Sequence, residues 1–486
     1  MGELLLVLDE GTTSTRAMLF APDGRCCGCA QEAITQHHPG PGLVEHDAAE
    51  IWRKTHRVAS AMVRQAGGGA RIAAIGIANQ RETVVFWDRV SGEPLAPALV
   101  WQDRRTAELC RALREDGHEP AMQAKTGLLL DPYFSASKIA WAMRNWPQLA
   151  EAGDRLAIGT VESWLVWKLT GGLHVTDATN ASRTGLMAIA SGAWDDALLD
   201  LFDVPRQALP EIVDCAGPFG ETHAFGDPIA ICGLAGDQQA ATIGQTCLSP
   251  GESKATFGTG AFILTQYGAR VPTSRHRLLS TVAWQLSGRR AYALEGSVFV
   301  AGSLVQWLRD SLGLIGSAAE TEALARSVPD SGGVMLVPAL AGLGAPWWAP
   351  EAKAALTGLT FASGKAHLVR AALEAMANQT HDLKTAFAAD GADWHRLRID
   401  GGMVANDWMA QDLADLLDIP VERPAFIETT ALGAAMLAGL GAGLFADLEE
   451  AAGMRGPVET FLPSLEANRR ETRLADWARA VRSVID

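Results

Sequence analysis

One unit occurs twice in this chain: a strand, a tight turn of glycine and threonine, and a second strand. The first copy runs through Leu4–Leu8, the turn Asp9–Thr13 and the strand Ala17–Phe20. The second runs through Lys254–Phe257, the turn Gly258–Gly260 and the strand Phe262–Gln266. With 486 residues the chain exceeds what one ordinary hydrophobic core covers, and two domains of roughly 200–250 residues are the natural division. The duplicated unit therefore predicts two related α/β domains facing each other across a cleft. Leu248, Ser249, Pro250 and Gly251 break the helical stretch before them, which puts the boundary between residues 1–247 and 248–486.

Between the turns, strands alternate with helices, the pattern of an α/β fold. A third strand follows the Pro22–Gly24 turn. Ile51, Val58, Met62 and Val63 recur at helical spacing over Ala48–Arg64, with Asp47 placed to cap the first turn. Ile72–Ala78, Val84–Trp87, Leu99–Trp101 and Arg396–Ile399 read as strands. Arg104–Arg114, Ser135–Asn145, Val298–Leu312, Leu368–Ala388 and Thr430–Leu440 read as helices.

The turns have the composition of phosphate sites. A glycine followed by small hydroxyl residues lets backbone N–H groups and hydroxyls converge on phosphate oxygens, and Arg16 adds a charged fork. Asp9, at the end of a buried strand, is placed to hold Mg²⁺ directly or through water. A plain Gly-Thr hairpin with Asp9 capping its turn is the alternative. The second turn would clamp phosphates from the opposite side. Asp400-Gly401-Gly402, after another strand, leaves room for an adenine ring, with Asn406 as a polar contact. The chain has no Gly-x-x-x-x-Gly-Lys-Ser/Thr loop, which excludes a P-loop nucleotide site. A net charge of −15 argues against nucleic acid as a partner. Cys26, Cys27 and Cys29 lack a second ligand pair at zinc spacing and read as small strand residues in a reducing compartment. The N-terminus opens directly on a strand, and no apolar run reaches the ~18 residues of a membrane span, so a cytoplasmic protein is expected.

Eight segments, in order, resemble the motifs of the FGGY carbohydrate kinase family, and among its members those that phosphorylate glycerol: Asp9–Arg16, Gln80–Thr83, Trp101–Arg105, Asp131–Ser135, Ala235–Gln239, Gly258–Gly260, Gly342–Trp347 and Asp400–Asn406. Ala354–Glu374 is similar to the family's second signature. The resemblance implies two actin-like (ribonuclease H-like) domains with ATP, Mg²⁺ and a small polyol in the cleft between them. It assigns ATP to Thr12, Thr13, Ser14, Arg16, Thr259, Gly302, Gln306, Gly402 and Asn406. It assigns glycerol to Arg81, Glu82, Tyr133, Asp237 and Gln238, with Trp101 and Phe262 as apolar walls. It also implies a homo-oligomer, dimer or tetramer. Glu10 departs from the family, which usually has Gln there, and so puts an extra carboxylate near the phosphates; Glu162 stands where Asp is common.

The polyol assignment makes chemical sense on its own terms. Arg81 only donates hydrogen bonds and Glu82 only accepts them, so together they suit adjacent hydroxyls that do both. A surface ion pair is the plainer alternative for these two. Asp237 follows the strand Ile229–Leu234 and opens a helix, Gln238–Gln245, where its carboxylate can act as general base toward the attacking hydroxyl. A helix N-cap is the competing role. Two rival functions stay open: an FGGY kinase for another small polyol or ketose, and a non-enzymatic actin-like module that responds to nucleotide.

Overall fold

In the computed structural model, which describes residues 3–485, Leu5, Leu6, Val7 and Leu8 are all fully buried. A strand apolar on both faces must be covered on both, and this one runs inside a sheet of six strands. They are β1 (Leu4–Glu10), β2 (Ser14–Phe20), β3 (Cys26–Ala33), β4 (Ile72–Asn79), β5 (Glu221–Thr222) and β6 (Ile229–Gly236), in spatial order β5-β6-β4-β1-β2-β3. β1, β4 and β6 run parallel, while β2 and β3 fold back antiparallel beside β1.

The second sheet has seven strands: β7 (Ser253–Phe257), β8 (Ala261–Gly268), β9 (Leu279–Leu286), β10 (Arg289–Val298), β11 (Leu397–Asp400), β12 (Val421–Pro424) and β13 (Val458–Phe461). Its spatial order is β9-β10-β8-β7-β11-β12-β13. β7 pairs antiparallel with β8 and parallel with β11, as β1 does with β2 and β4. The unit repeated in the sequence is thus repeated in topology, giving two α/β lobes. The expected boundary at 247/248 falls between the helix that follows β6 and the start of β7.

Five helices matter for the site. α1 (Ala48–Ala66) lies on the first sheet, and its N-cap Asp47 accepts from the Ala49 N–H at 2.9 Å. α2 (Asp237–Gly244) follows β6 directly, and α3 (Gly302–Asp310) follows β10. α4 (Lys365–Ala389) is the long helix of the second lobe. α5 (Thr429–Gly441) comes late in the chain yet packs against α2, β6, β4 and β1 of the first lobe. The approach is backbone on backbone. A Cβ on Gly76 would lie 2.3 Å from the Ala434 carbonyl oxygen, and one on Gly433 would lie 1.8 Å from that of Ala240. This contact fixes α2, and with it Asp237.

Two expected elements differ. The helix expected over Val298–Leu312 begins only at Gly302, because Val298 still belongs to β10. The Ala301 and Gly302 N–H groups bond to the Thr259 and Gly258 carbonyls at 3.0 and 2.8 Å, which spends this stretch on closing the second glycine turn. The helix expected from Arg104 begins at Ala107, because Asp103, Arg104 and Arg105 are held in ion pairs. The seven cysteines are unpaired. No helix among the described residues is long and apolar enough to cross a membrane.

Gly433→Ala forces a methyl group into the α2–α5 contact and is expected to cost about 1–3 kcal/mol, as other overpacking changes do. Chemical denaturation checks this; unchanged stability would show that the two helices separate freely.

Candidate active site

Arg81 and Glu82 follow β4 in a sharp turn. The Thr83 N–H bonds back to the Arg81 carbonyl at 2.8 Å, and Glu82 has φ +62°. A non-glycine residue in that region carries strain of about 1–3 kcal/mol, which neighbouring contacts must hold in place. Those contacts are ionic and buried. Glu82 accepts from Arg183 Nε at 2.7 Å, while Arg81 forks onto Glu295, with Nη1 and Nη2 at 2.5 and 3.0 Å. Arg183 Nη2 reaches the same Glu295 carboxylate at 3.0 Å. Two guanidinium groups and two carboxylates therefore form a neutral set with almost no exposed surface. The simple Arg81–Glu82 surface pair is not what forms: that contact is the long one, at 3.9 Å.

The other residues expected to bind the polyol gather beside this set. The Tyr133 hydroxyl accepts from Arg81 Nη2 at 3.2 Å. Trp101 packs edge-on against Tyr133 and Phe262, with ring centroids 5.5 and 6.0 Å apart, and Phe262 lies 5.9 Å from the Arg81 guanidinium. Asp237 Oδ1 lies 3.5 Å from Arg81 Nε and accepts from the Gln238 N–H at 2.7 Å. Gly236, not Asp237, is the N-cap of α2, and Oδ2 of Asp237 takes no hydrogen bond from the described residues. The Asp237 side chain keeps 28% of its surface exposed. Burial nonetheless pushes its carboxyl up, while Arg81 and Lys254 pull it back. Gln238 Oε1 accepts from Lys254 Nζ at 2.5 Å.

The first glycine turn meets this pocket. Trp101 Nε1 donates to Thr12 Oγ1 at 2.9 Å, so one indole spans the turn and the aromatic wall. Thr13 is exposed, and Ser14 Oγ accepts from Gln31. Arg16 pairs with Asp9 at 2.9 Å and with Glu428, at the start of α5, at 2.5 Å. Asp9 is nearly buried; desolvation raises its carboxyl to about 6 and the Arg16 charge opposes the rise. Asp237 and Glu428 add like charge to the same region. Glu10 does not face the turn's mouth. It points into the core, where the Thr15 and Thr55 hydroxyls donate to it and burial raises its carboxyl to about 8. The matching departure, Glu162, is likewise buried and accepts from Thr160 and Thr176 at 2.6 Å.

In the second lobe, Thr259 and Gly302 are joined through the turn described above. A Cβ on Gly402 would meet nothing within 4 Å, so this glycine borders open space. Gln306 is exposed one helical turn beyond Gly302. Asn406 caps the helix Asp407–Leu417 through the Met409 N–H and donates to Thr321 Oγ1, which leaves it one free amide N–H. A cavity of about 840 Å³ is lined by Trp101 and Tyr133 together with Arg104, Arg277, Phe299 and Trp348. Neither Asp237 nor the glycine turns reach it.

Sequence reasoning missed Arg183, Lys254, Glu295 and Glu428. Each is a charged residue in or beside a buried element, and a buried charge demands a partner; that signal stood at Glu295, inside the apolar run of β10.

Comparisons agree with this geometry. Residues 4–244 match the N-terminal domain of the FGGY family of carbohydrate kinases, and residues 253–442 match its C-terminal domain. A glycerol kinase of Methylobacterium nodulans is 55% identical over 492 residues, covering 99% of this chain and 98% of the relative. One from Rhodospirillum centenum is 53% identical over 490 residues, with the same coverage. The crystal structure of Plasmodium falciparum glycerol kinase with ADP superimposes with a TM-score of 0.91 at 34% identity, covering 100% of this chain and 99% of that one. A ligand-bound xylulose kinase from Lactobacillus acidophilus, at 21% identity and TM-score 0.87 over 99% and 97% of the two chains, shares the fold.

Glu10→Gln keeps the shape and the acceptor oxygen of the protonated acid. It is expected to leave the nucleotide KM and the neutral-pH thermal midpoint unchanged. A raised nucleotide KM would instead place this side chain at the phosphates.

Proposed function

The chain belongs to the FGGY family of carbohydrate kinases, and we propose that it transfers the γ-phosphoryl group of ATP to glycerol, giving sn-glycerol 3-phosphate. The observation that carries this reading is the free edge of Asp237. One oxygen is tied to its own helix and lies 3.5 Å from Arg81 Nε, while the side chain keeps 28% of its surface exposed, so the carboxylate beside Arg81 stays open to a substrate. The activity named for relatives that match over nearly the full chain supports it.

A triol seated on Arg81 and Glu82 presents donors and acceptors to both, with Trp101 and Phe262 over its carbon chain. Asp237 takes the proton of the terminal hydroxyl as that oxygen bonds to the γ-phosphorus and the bond to the β-phosphate oxygen breaks. Burial raises the Asp237 carboxyl, and Arg81 beside it opposes that rise and so favours the charged form that can accept a proton. Thr12, Thr13, Ser14 and Arg16 would hold the phosphates from one side, and Thr259 with Gly302 from the other. Gln306, Gly402 and Asn406 would border the nucleoside. Asp9 is a hard oxygen donor paired with Arg16, with the like charges of Asp237 and Glu428 nearby; among the described residues no three such side chains gather into a metal cage, so phosphate and water oxygens would complete the set around a divalent cation. Asp9 would hold Mg²⁺, which when bound neutralises charge on the phosphates. The same reading places the enzyme in the cytoplasm, where its seven unpaired cysteines suit a reducing compartment. As a homo-oligomer it would cover the exposed Leu359 and Phe361.

Purified protein with ATP and Mg²⁺ is expected to release ADP in proportion to added glycerol and to yield the 3-phosphate. Hydrolysis indifferent to polyols, or a higher kcat/KM for another polyol, would sink the assignment. Asp237→Asn is expected to fold normally, bind nucleotide and lose roughly 10²–10⁴ in kcat, the usual worth of a positioned base. Near-normal turnover would remove it from the chemistry.

A further inference from the structure

The polyol-binding pair is not self-supporting. Arg81 and Glu82 sit on a strained turn of the first lobe, yet the carboxylate that grips Arg81 comes from β10 of the second sheet. Glu295 has no exposed surface and is fully satisfied. It accepts from both terminal nitrogens of Arg81, from Arg183 Nη2, and from Ser297 Oγ at 3.2 Å. Despite complete burial its carboxyl is held down to about 2, because the two guanidinium groups outweigh desolvation.

Arg183 is the second half of the device. It follows a short helical turn, Ala178–Ala181, capped by Asp177 and locked to the end of β4 by the reciprocal amide pair Asn79–Asn180 at 2.9 and 3.0 Å. Its guanidinium lies over the neighbouring Tyr133 and Phe134 rings, 5.5 and 5.3 Å from their centroids. From there Nε holds Glu82 and Nη2 holds Glu295. One carboxylate from the second lobe and one arginine from the first therefore fix both members of the acceptor-binding pair.

We propose that Glu295 and Arg183 are positioning residues that assemble Arg81 and Glu82 for the acceptor, so that polyol affinity depends on contact between the two lobes. The inference rests on the polyol-phosphorylating reading above. Without the Glu295 charge, Arg81 keeps Asp237 as its near anionic neighbour, 3.5 Å from Nε, and turns toward the base instead of the acceptor. Gln at 295 would also set an amide N–H against the guanidinium N–H groups, whereas Asp keeps the charge but cannot reach both.

The test is steady-state kinetics on Glu295→Gln and Glu295→Asp, varying glycerol at saturating ATP and then the reverse, with thermal melting of the unliganded proteins. A charge-assisted hydrogen bond is worth enough that the glycerol KM should rise about 10- to 100-fold in both variants, with the ATP KM unchanged. A wild-type glycerol KM in either folded variant overturns the proposal. So does a matched rise in both KM values, or failure of both variants to fold; each would make the network a lobe fastening and nothing more. Wild-type protein run alongside separates the two readings. If it ignores glycerol, the substrate assignment fails, and the variants are then judged on the polyol it does phosphorylate.

Discussion

The structure depends on a buried exchange of charge between its two halves. Two guanidinium groups of the first lobe share one carboxylate of the second, and a second carboxylate closes the set. Burying an ion costs several kcal/mol even after relaxation, so such a network forms only when nearly every donor and acceptor finds a partner. Here almost all do, with Arg183 Nη1 as the exception. Well-packed apolar side chains would serve stability as well or better. What the ions provide is direction: a forked carboxylate sets the plane of a guanidinium, and that plane sets which edge Arg81 shows to the pocket.

A second constraint works through size instead of charge. α5 leaves the second sheet and lies on the first, meeting α2, β4 and β6 at backbone distance. Glycine and alanine make that approach possible, since any larger side chain at Gly433 or Gly76 would collide with a carbonyl. The start of α5 carries Glu428 to Arg16, and Thr430 Oγ1 approaches the Asp237 carbonyl at 3.4 Å. One helix thus ties together the first glycine turn, Asp237 and the second half of the chain.

What the sequence made readable follows from how each signal is written. The duplicated strand–turn–strand unit is local, and both copies fold into equivalent places in their sheets. Strands such as β4 and helices such as α1 announce themselves by period and cap. The helix over Val298–Leu312 was misplaced because its apolar start is consumed by bonds to a turn some forty residues upstream, which no local pattern records. Glu295 and Arg183 escaped for the same reason: their partners are distant in the chain. Glu10 looked like an extra charge at the phosphates because the sequence cannot say which way a strand-end side chain turns. β1 alternates its faces, and Asp9 and Glu10 fall on opposite ones.

Charge bookkeeping around the cleft then explains why its two ends behave differently. Arg81 and Arg183 are matched by Glu82 and Glu295, so the end proposed for the acceptor is neutral, as an uncharged polyol requires. At the other end Arg16 and Lys254 face Asp9, Asp237, Asp400 and Glu428, an excess of carboxylate. A triphosphate approaching that end adds more negative charge than the two cations offset, in a region where burial strengthens every repulsion. A nucleotide that arrives with its own divalent cation would lessen the conflict, and Asp9 and Glu428, which compete for Arg16 in its absence, would then face added positive charge. The carboxylate excess inside the cleft thus favours a phosphate donor already paired with metal.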